Sequence, residues 1–570
     1  MSDQITGPGG VNVEEPAPKE PYVAANGRRR STSKIVRRYI GVAAIAVAIV
    51  VIALALPSKS PKTVSGLAAL GATGSSSTNG GVASAAKGAN GGKIGSGTTV
   101  NGIKCTPDVQ QFTGSVYAPP CMSAWSGNNG GATAHGVTAS TITLFYRYYK
   151  ECATPTSYCQ SNLNIINSLV AYFNKQYETY GRQVVVKAFH GQGSVYAEAD
   201  NEGQPQAQAD AQTAYDLGAF AEATSFDYPP LYQALASKGI LTFGDLLPTI
   251  KTLQNYAPYV YSEVGWPLAE NWANAATQVA CNRMKGMDAI YSGDPAYQKE
   301  KRVFGLVISN DPDWGAAGSL IQHSAGQCGI NIVNHETYQV NITGEAAEAT
   351  PIIAQLKASG VTTILCGADT LMTAILMEAA AKQHYFPEWL IWEPWIEDRT
   401  APPTEEAHTI KISSIGPDEA YTATDAYAIC QLAKCNPRDL ANAETAGVGD
   451  GNGADGILYN LMWIFDGIQM AGPNLTPQTF FKGFENLPCT TGSEYGTFCY
   501  GSSEVNGVGS QPADFVISAW DPNVVNPSDH AKGNWLDCEN ATRFKYPVGF
   551  GTVAGLGSGS QLNCPSLASS

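Results

Sequence analysis

The side chains best equipped for chemistry in this 570-residue chain are carboxylates and indoles placed where apolar runs end. The run 303–308 leads into Ser309-Asn310-Asp311-Pro312-Asp313-Trp314-Gly315, and Ile391-Trp392 leads into Glu393-Pro394-Trp395. A carboxylate in a partly dry cleft gains most from a paired cation, and an indole offers flat apolar cover to a small molecule. The plainer readings are a strand-ending turn at Asp311-Pro312-Asp313, a solvated loop carboxylate at Glu393 and packing between lobes for Trp392 and Trp395. No Gly-x-Ser-x-Gly or His-Glu-x-x-His occurs, and the 7 histidines are scattered. His190-Gly191-Gln192-Gly193 has the start of a dinucleotide loop, but Tyr196 stands where its third glycine belongs. Asp450-Gly451-Asn452-Gly453-Ala454-Asp455 offers oxygen ligands, yet the calcium-loop spacing breaks at Ala454 and no closing Glu follows. With no Cys-x-x-Cys either, the expectation is binding rather than catalysis, with no cofactor and no metal.

Holding such loops in place requires regular elements, and the pattern supplies them twice. Residues 141–146 read as a strand. Leu163, Ile166, Val170, Phe173 and Tyr177 then share one helical face, closed by Gly181. Strands at 184–186, 219–224 and 240–243 alternate with helices at 206–218 and 229–238. The alternation restarts with a helix at 268–282 and strands at 303–308, from 332, at 362–366 and at 389–392. Helices at 316–326, 351–359 and 371–382 separate these strands, and a further helix covers 457–470. Two βα sets imply an α/β fold of two lobes, each a parallel sheet flanked by helices, with a cleft between them. Ligands of open α/β sheets bind outside the carboxyl ends of the strands.

Several stretches carry a family resemblance. Gly136-Val137-Thr138-Ala139-Ser140-Thr141-Ile142-Thr143-Leu144 resembles the entry strand of the type 1 periplasmic binding proteins, the leucine-binding group. Lys238-Gly239-Ile240-Leu241-Thr242-Phe243, the 303–315 stretch and Ile353-Ala354-Gln355-Leu356-Lys357-Ala358-Ser359-Gly360-Val361 resemble later steps of that family in the same order, over about residues 135–485. The resemblance implies a type 1 periplasmic-binding-protein fold, a Venus flytrap that closes on a small ligand and often presents it to an ABC permease. It places first-lobe ligand loops at Thr224-Ser225-Phe226-Asp227 and Gly244-Asp245. Second-lobe contacts fall at Asp311, Trp314, Asp369, Thr370, Glu393 and Trp395, with Glu393 receiving a ligand ammonium. Amino-acid binders hold the ligand carboxylate with small hydroxyl residues, where this chain has Gly244-Asp245-Leu246-Leu247. Asp245 would repel a carboxylate, so a cationic or neutral polar ligand is at least as compatible as an α-amino acid.

Charge divides the chain in two. Residues 1–104 carry 12 Lys/Arg against 4 Asp/Glu, whereas the remainder carries 22 against 45, which argues against nucleic acid as a partner. The uncharged run 40–56 follows six cationic residues closely, with only Lys59 and Lys62 just beyond it, so the positive-inside bias puts the N-terminus in the cytoplasm and the body outside. It reads as an uncleaved anchor, against a cleaved signal with a small-x-small site at Ala53-Leu54-Ala55 or a buried helix. The Gly/Ser/Ala-rich 65–101 reads as a tether. All 13 cysteines follow residue 104. Twelve fall into candidate pairs, Cys105 with Cys121, Cys152 with Cys159, Cys281 with Cys328, Cys430 with Cys435, Cys489 with Cys499 and Cys538 with Cys564, although sequence cannot fix connectivity. Cys366 is left as a buried thiol.

The expected organisation is therefore a cytoplasmic tail at 1–38, a transmembrane helix or signal anchor at 39–57 and a linker at 58–104. The first lobe takes 105–262, the second lobe 263–396, a return to the first lobe 397–505, and a C-terminal segment on the second lobe 506–570. The expected function is a membrane-tethered extracellular solute-binding protein that captures a small polar or amino-acid-like ligand, of the Leu/Ile/Val-binding kind by resemblance, and delivers it to an ABC importer. The alternatives are a ligand-sensing or surface interaction protein of the same fold, and an extracellular hydrolase.

Overall fold

Strand β1 (Thr141–Tyr148) is buried along almost its whole length, which a strand tolerates only when helices cover both faces of its sheet. Its side chains alternate accordingly. Ile142, Leu144 and Tyr146 enter one core, and Phe145 enters another with Ala207, Ala211, Leu231 and Leu235. In the computed structural model the described residues run from 92 to 564, apart from 154–156, 226, 246–247, 263–266, 342–343, 392–407, 415–423, 445–453, 493–495, 501–509, 526–531 and 548–550. They belong to one compact unit, Gly74–Ser570. The cationic tail, the apolar run 40–56 and the tether up to residue 91 lie outside the described residues. Among the described residues no helix is long and apolar enough to cross a membrane.

After β1 come α1 (Ser157–Gln176), β2 (Gln183–His190), α2 (Val195–Ala199), α3 (Gln204–Asp216), β3 (Ala221–Ser225), α4 (Pro229–Ser237), β4 (Leu241–Asp245), α5 (Ile250–Tyr256) and β5 (Val260–Ser262). The strands form one parallel sheet in the order β2-β1-β3-β4-β5, with Leu144 beside Val186 of β2 and Phe145 beside Glu222 of β3. Helix α1 buries Ile165, Ile166, Leu169, Phe173 and Tyr177 against this sheet. Each such side chain contributes about 1.5–3 kcal/mol.

The second lobe begins with α6 (Ala269–Val279) and continues through β6 (Phe304–Ser309), α7 (Pro312–Gln327), β7 (Ile332–Tyr338), α8 (Glu345–Ala358), β8 (Thr363–Gly367), α9 (Thr370–Lys382), β9 (Glu388–Ile391) and β10 (Thr409–Ser413). The chain then crosses back. Helices α10 (Thr424–Ala433), α11 (Pro437–Glu444), α12 (Ala454–Ala471) and α13 (Pro477–Glu485) pack on the first lobe, with Trp463, Phe465 and Phe480 in its core. A small antiparallel sheet of β11 (Thr490–Thr491), β12 (Thr497–Tyr500) and β13 (Ser510–Pro512) precedes β14 (Asp514–Val525), β15 (Lys532–Asp537) and β16 (Phe544–Lys545). These last strands complete the second sheet, in the order β15-β14-β10-β9-β8-β6-β7 with β16 on β14. From β10 to β7 the neighbours are parallel, and the β14 pairings are antiparallel.

Two expectations need correcting. The return to the first lobe does not begin at 397, because β10 pairs in parallel with β9 and extends the second sheet through Ser413. Helix α8 starts at Glu345, six residues before Pro351, which sits inside it. Proline is favoured in a first turn, where its missing N–H is no loss, and that preference misplaces the start here.

Six disulfides join Cys105 to Cys121, Cys152 to Cys159, Cys281 to Cys328, Cys430 to Cys435, Cys489 to Cys499 and Cys538 to Cys564. Cys366 on β8 is free and buried, and burial pushes its thiol up to about 11.

Candidate ligand-binding crevice

In each sheet the chain first winds to one side and then to the other, so a switch point lies between β1 and β3 in the first lobe and between β6 and β8 in the second. Loops that follow the strands' carboxyl ends meet across the lobes. Thr249, which caps α5 after β4, and Thr252 both donate to Asp313, in the first turn of α7 after β6, at 2.8 and 2.7 Å. Beside them the Ile250 N–H donates to the Glu270 carboxylate of α6 at 3.1 Å. Farther along, Asp200 at the end of α2 acts electrostatically on Glu345 at the start of α8.

On the first-lobe wall Arg147 at the end of β1 is the centre. Its guanidinium makes a two-pronged pair with Glu198 at 2.7 and 2.8 Å, reaches Asp210 at 3.2 Å and lies 4.4 Å over the Tyr149 ring. Burial by itself would lower the guanidinium, and the Glu198 pair outweighs it, so the group is held above its ordinary range. Asp210 also accepts from the Gln192 and Gly193 N–H groups at 2.7 and 2.8 Å. The 190–193 loop is therefore closed around an ion pair. A Cβ on Gly191 or Gly193 would run into the Arg147 and Asp210 side chains.

Beside this cluster Thr242 of β4 donates to Asp227 at 2.5 Å and to Glu222 at 3.3 Å. Burial, and then the charge of Asp227, raise the Glu222 carboxyl well above its ordinary range. Asp227 is 3% exposed and shares a side-chain hydrogen bond with Glu222. One guanidinium thus lies among four acidic side chains, those of Glu198, Asp210, Glu222 and Asp227.

The second-lobe wall is acidic too. Asp369 caps α9, accepting from the Leu371 and Met372 N–H groups at 2.9 and 3.0 Å and from the Tyr338 hydroxyl at 2.6 Å. Glu345 is 1% exposed and shares a side-chain hydrogen bond with Asp369. Burial raises both acids, and their mutual proximity adds to the rise on Glu345, which is pushed up to about 9. The three donors on Asp369 favour its charge, so the proton of this pair sits on Glu345.

The residues expected at the site divide as follows. Thr224 and Asp227 lie with Glu222 and Thr242 at the first wall. Ser225, Asp245 and Thr370 end β3, end β4 and start α9, respectively. Gly244 lies against Asp227, whose backbone N would be 2.5 Å from any Cβ there. Asp311 caps α7 through the Asp313 N–H at 3.1 Å, and burial raises its carboxyl. Trp314 joins the second-lobe core with Leu306, Ile308 and Ile321, so its ring is packed inside the lobe. Phe226, Glu393 and Trp395 lie outside the described residues. Missed in the sequence were Arg147, Glu198, Asp210, Glu222, Tyr338 and Glu345. A signal existed for two of them, because Arg147 and Glu222 interrupt buried strands, where a charge must be paired or neutralised.

No family model matches the chain, and no curated protein does. Among solved structures it is similar to an ABC-transporter solute-binding protein from R. palustris in complex with 4-hydroxybenzoate, at 13% identity and a TM-score of 0.49, covering 71% of this chain and 98% of that one. It is also similar to a fatty acid ABC transporter substrate-binding protein from Thermomonospora curvata, at 15% identity and 0.48, covering 74% and 99%. A third is the leucine-, isoleucine-, valine-, threonine- and alanine-binding protein from Brucella ovis in its closed conformation, at 14% and 0.48, covering 71% and 95%.

Proposed function

We propose that this protein is an exported solute-binding protein that captures a small polar ligand between its lobes and hands it to an ABC importer. The observation that carries this reading is the meeting of carboxyl-end loops from two doubly wound sheets, Thr249 and Thr252 of one with Asp313 of the other. A ligand touching both walls favours the closed arrangement by its differential affinity, which is all that hinge closure requires. Buried carboxylates and a guanidinium at the strand ends suit an amino-acid-like or other polar ligand. A ligand of the Leu/Ile/Val kind would in addition need a carboxylate-holding set. Six disulfides suit an oxidising compartment. The run 40–56 then serves as a single-pass anchor and 58–104 as the tether, with the body outside.

Thermal-shift screening of residues 74–570 against amino acids, amines, amides, sugars and aromatic acids tests the binding role. A true ligand at 100 times its dissociation constant adds about 2.7 kcal/mol. Silence across every class would sink the reading. For the anchor, the full chain should stay in carbonate-washed membranes with its body open to external protease, and release by carbonate would refute it.

A further inference from the structure

A groove of about 380 Å3 lies on the flank of the first lobe, lined by none of the residues that meet across the crevice. Asn167, Ala171, Tyr172 and Lys175 of α1 form one side, and Leu432 and Lys434, at the end of α10 and just after it, form the other. The Cys430–Cys435 bridge closes a tight turn there, with the Cys435 N–H donating to the Cys430 carbonyl at 2.8 Å. Within that turn Lys434 holds φ at 60°, in the left-handed region that residues other than glycine seldom occupy. Leu432 is 56% exposed, more than any other large apolar side chain among the described residues.

This groove is cationic on an acidic body. Neither Lys175 nor Lys434 has a carboxylate partner among the described residues. The segment 92–122 runs beside it: Asn101 donates to Gln176 at 2.8 Å, Phe112 meets Tyr172 edge to face with ring centres 6.3 Å apart, and Gly114 lies against Ile429 of α10. Together 92–122, α1 and 424–438 carry Lys93, Lys104, Lys175, Lys434 and Arg438 against two acids, Asp108 and Asp425, whereas residues 105–570 carry 22 Lys/Arg against 45 Asp/Glu. Asp439, the next acid, is buried and accepts from Ser161 and Asn164. Unpaired lysines beside apolar side chains suit a surface that settles on anionic lipid, where phosphates draw the charge and the apolar groups enter the headgroup boundary. Residue 92 is also where the chain arriving from the run 40–56 joins the described residues.

Resting on the exported, anchored reading, we propose that this flank docks on the anionic surface of the membrane, with Lys175 and Lys434 on lipid phosphates and Leu432 and Tyr172 at the headgroup boundary. The acidic remainder of the body is repelled by the same surface, so contact at the groove fixes which side of the first lobe faces the bilayer.

The test is flotation of residues 74–570, the compact unit that carries all six bridges but not the run 40–56, with vesicles of phosphatidylcholine alone or with one-third phosphatidylglycerol. Binding to the anionic vesicles should be at least about tenfold tighter than to the neutral ones and should fade as salt rises. Lys175→Gln together with Lys434→Gln should weaken it by roughly tenfold or more, and Leu432→Ser by several-fold, with melting temperatures unchanged. Lys382→Gln, an exposed lysine on α9 of the second lobe, should leave it unaltered. Equal binding to both vesicles, no binding to either, or full binding by the double variant overturns the proposal and leaves solute capture in the crevice untouched. A dimer in sedimentation velocity that Leu432→Ser dissolves would make the groove an interface between copies of this chain, which overturns it as well. Carbonate release of the full chain together with selective binding to anionic vesicles would refute the anchor alone and support this surface.

Discussion

Arg147 and Glu345 show opposite ways of keeping an ionisable group inside a protein. Arg147 stays charged because two carboxylates, at 2.7 and 3.2 Å, replace the water it loses. Removing it strands both, so Arg147→Met should lower unfolding stability by about 3–5 kcal/mol, read from urea denaturation at pH 7. Glu345 stays in place by remaining neutral. Its folded pKa, raised to about 9 by burial and then by Asp369, exceeds the unfolded value of about 4.3. The folded state therefore holds a proton that the unfolded chain releases. The stability tied to this group is fully present below about pH 4.3, falls as pH rises and is exhausted above about 9. Asp369, Asp200 and Tyr338 are the ionisable neighbours that act on this pair. Glu345→Gln removes the linkage. Relative to the parent, its ligand-free form should gain roughly 1–3 kcal/mol between pH 4 and pH 7. A constant difference across that range would show that Glu345 ionises normally.

At the scale of elements, the N-terminus of α5 and the first turn of α7 act together. Thr249 and Thr252 converge on one carboxylate, Asp313, which belongs to the opposite lobe. Hydrogen bonds to a charged acceptor contribute about 1.5–3 kcal/mol each where they are protected from water. Asp313→Ala should therefore shift the population towards open forms. Small-angle scattering should give a larger radius of gyration without ligand, and affinity should fall by about tenfold with the secondary structure unchanged. Equal radii for variant and parent would mean that the clasp does not bias closure. The sequence marked Asp311-Pro312-Asp313 as chemically able, and the cap at Asp311 follows from its local chemistry. The inter-lobe role of Asp313 could not be read there, because its partners lie 61 and 64 residues away.

For the whole molecule, the six bridges each close a local loop, the longest spanning 47 residues. They secure edges within a lobe, and none ties one lobe to the other, so they leave hinge motion unhindered. One thiol remains. Without reductant the native protein should take up no alkylating label, and the urea-unfolded protein should take up one, at Cys366, because burial excludes the reagent and raises the thiol. Mass spectrometry of intact protein reads both states, and two or more labels on the unfolded protein would contradict the six pairings.

The sequence alone determined the alternation of short apolar strands and amphipathic helices, because a period of two or of 3.6 is written in the side chains. Leu144 and Phe145 enter opposite cores for that reason, and Ile166, Phe173 and Tyr177 share one face of α1. Only tertiary structure could decide what depends on distant neighbours. It assigned β10 and β14 to the second sheet, and it turned Trp314 into that lobe's core. It also gathered Arg147, Glu198, Asp210, Glu222 and Asp227 from two strands, the loop after one of them and two helices into one acidic wall. Burial sets the charge state of those groups, and burial is a property of the folded whole that no local pattern contains.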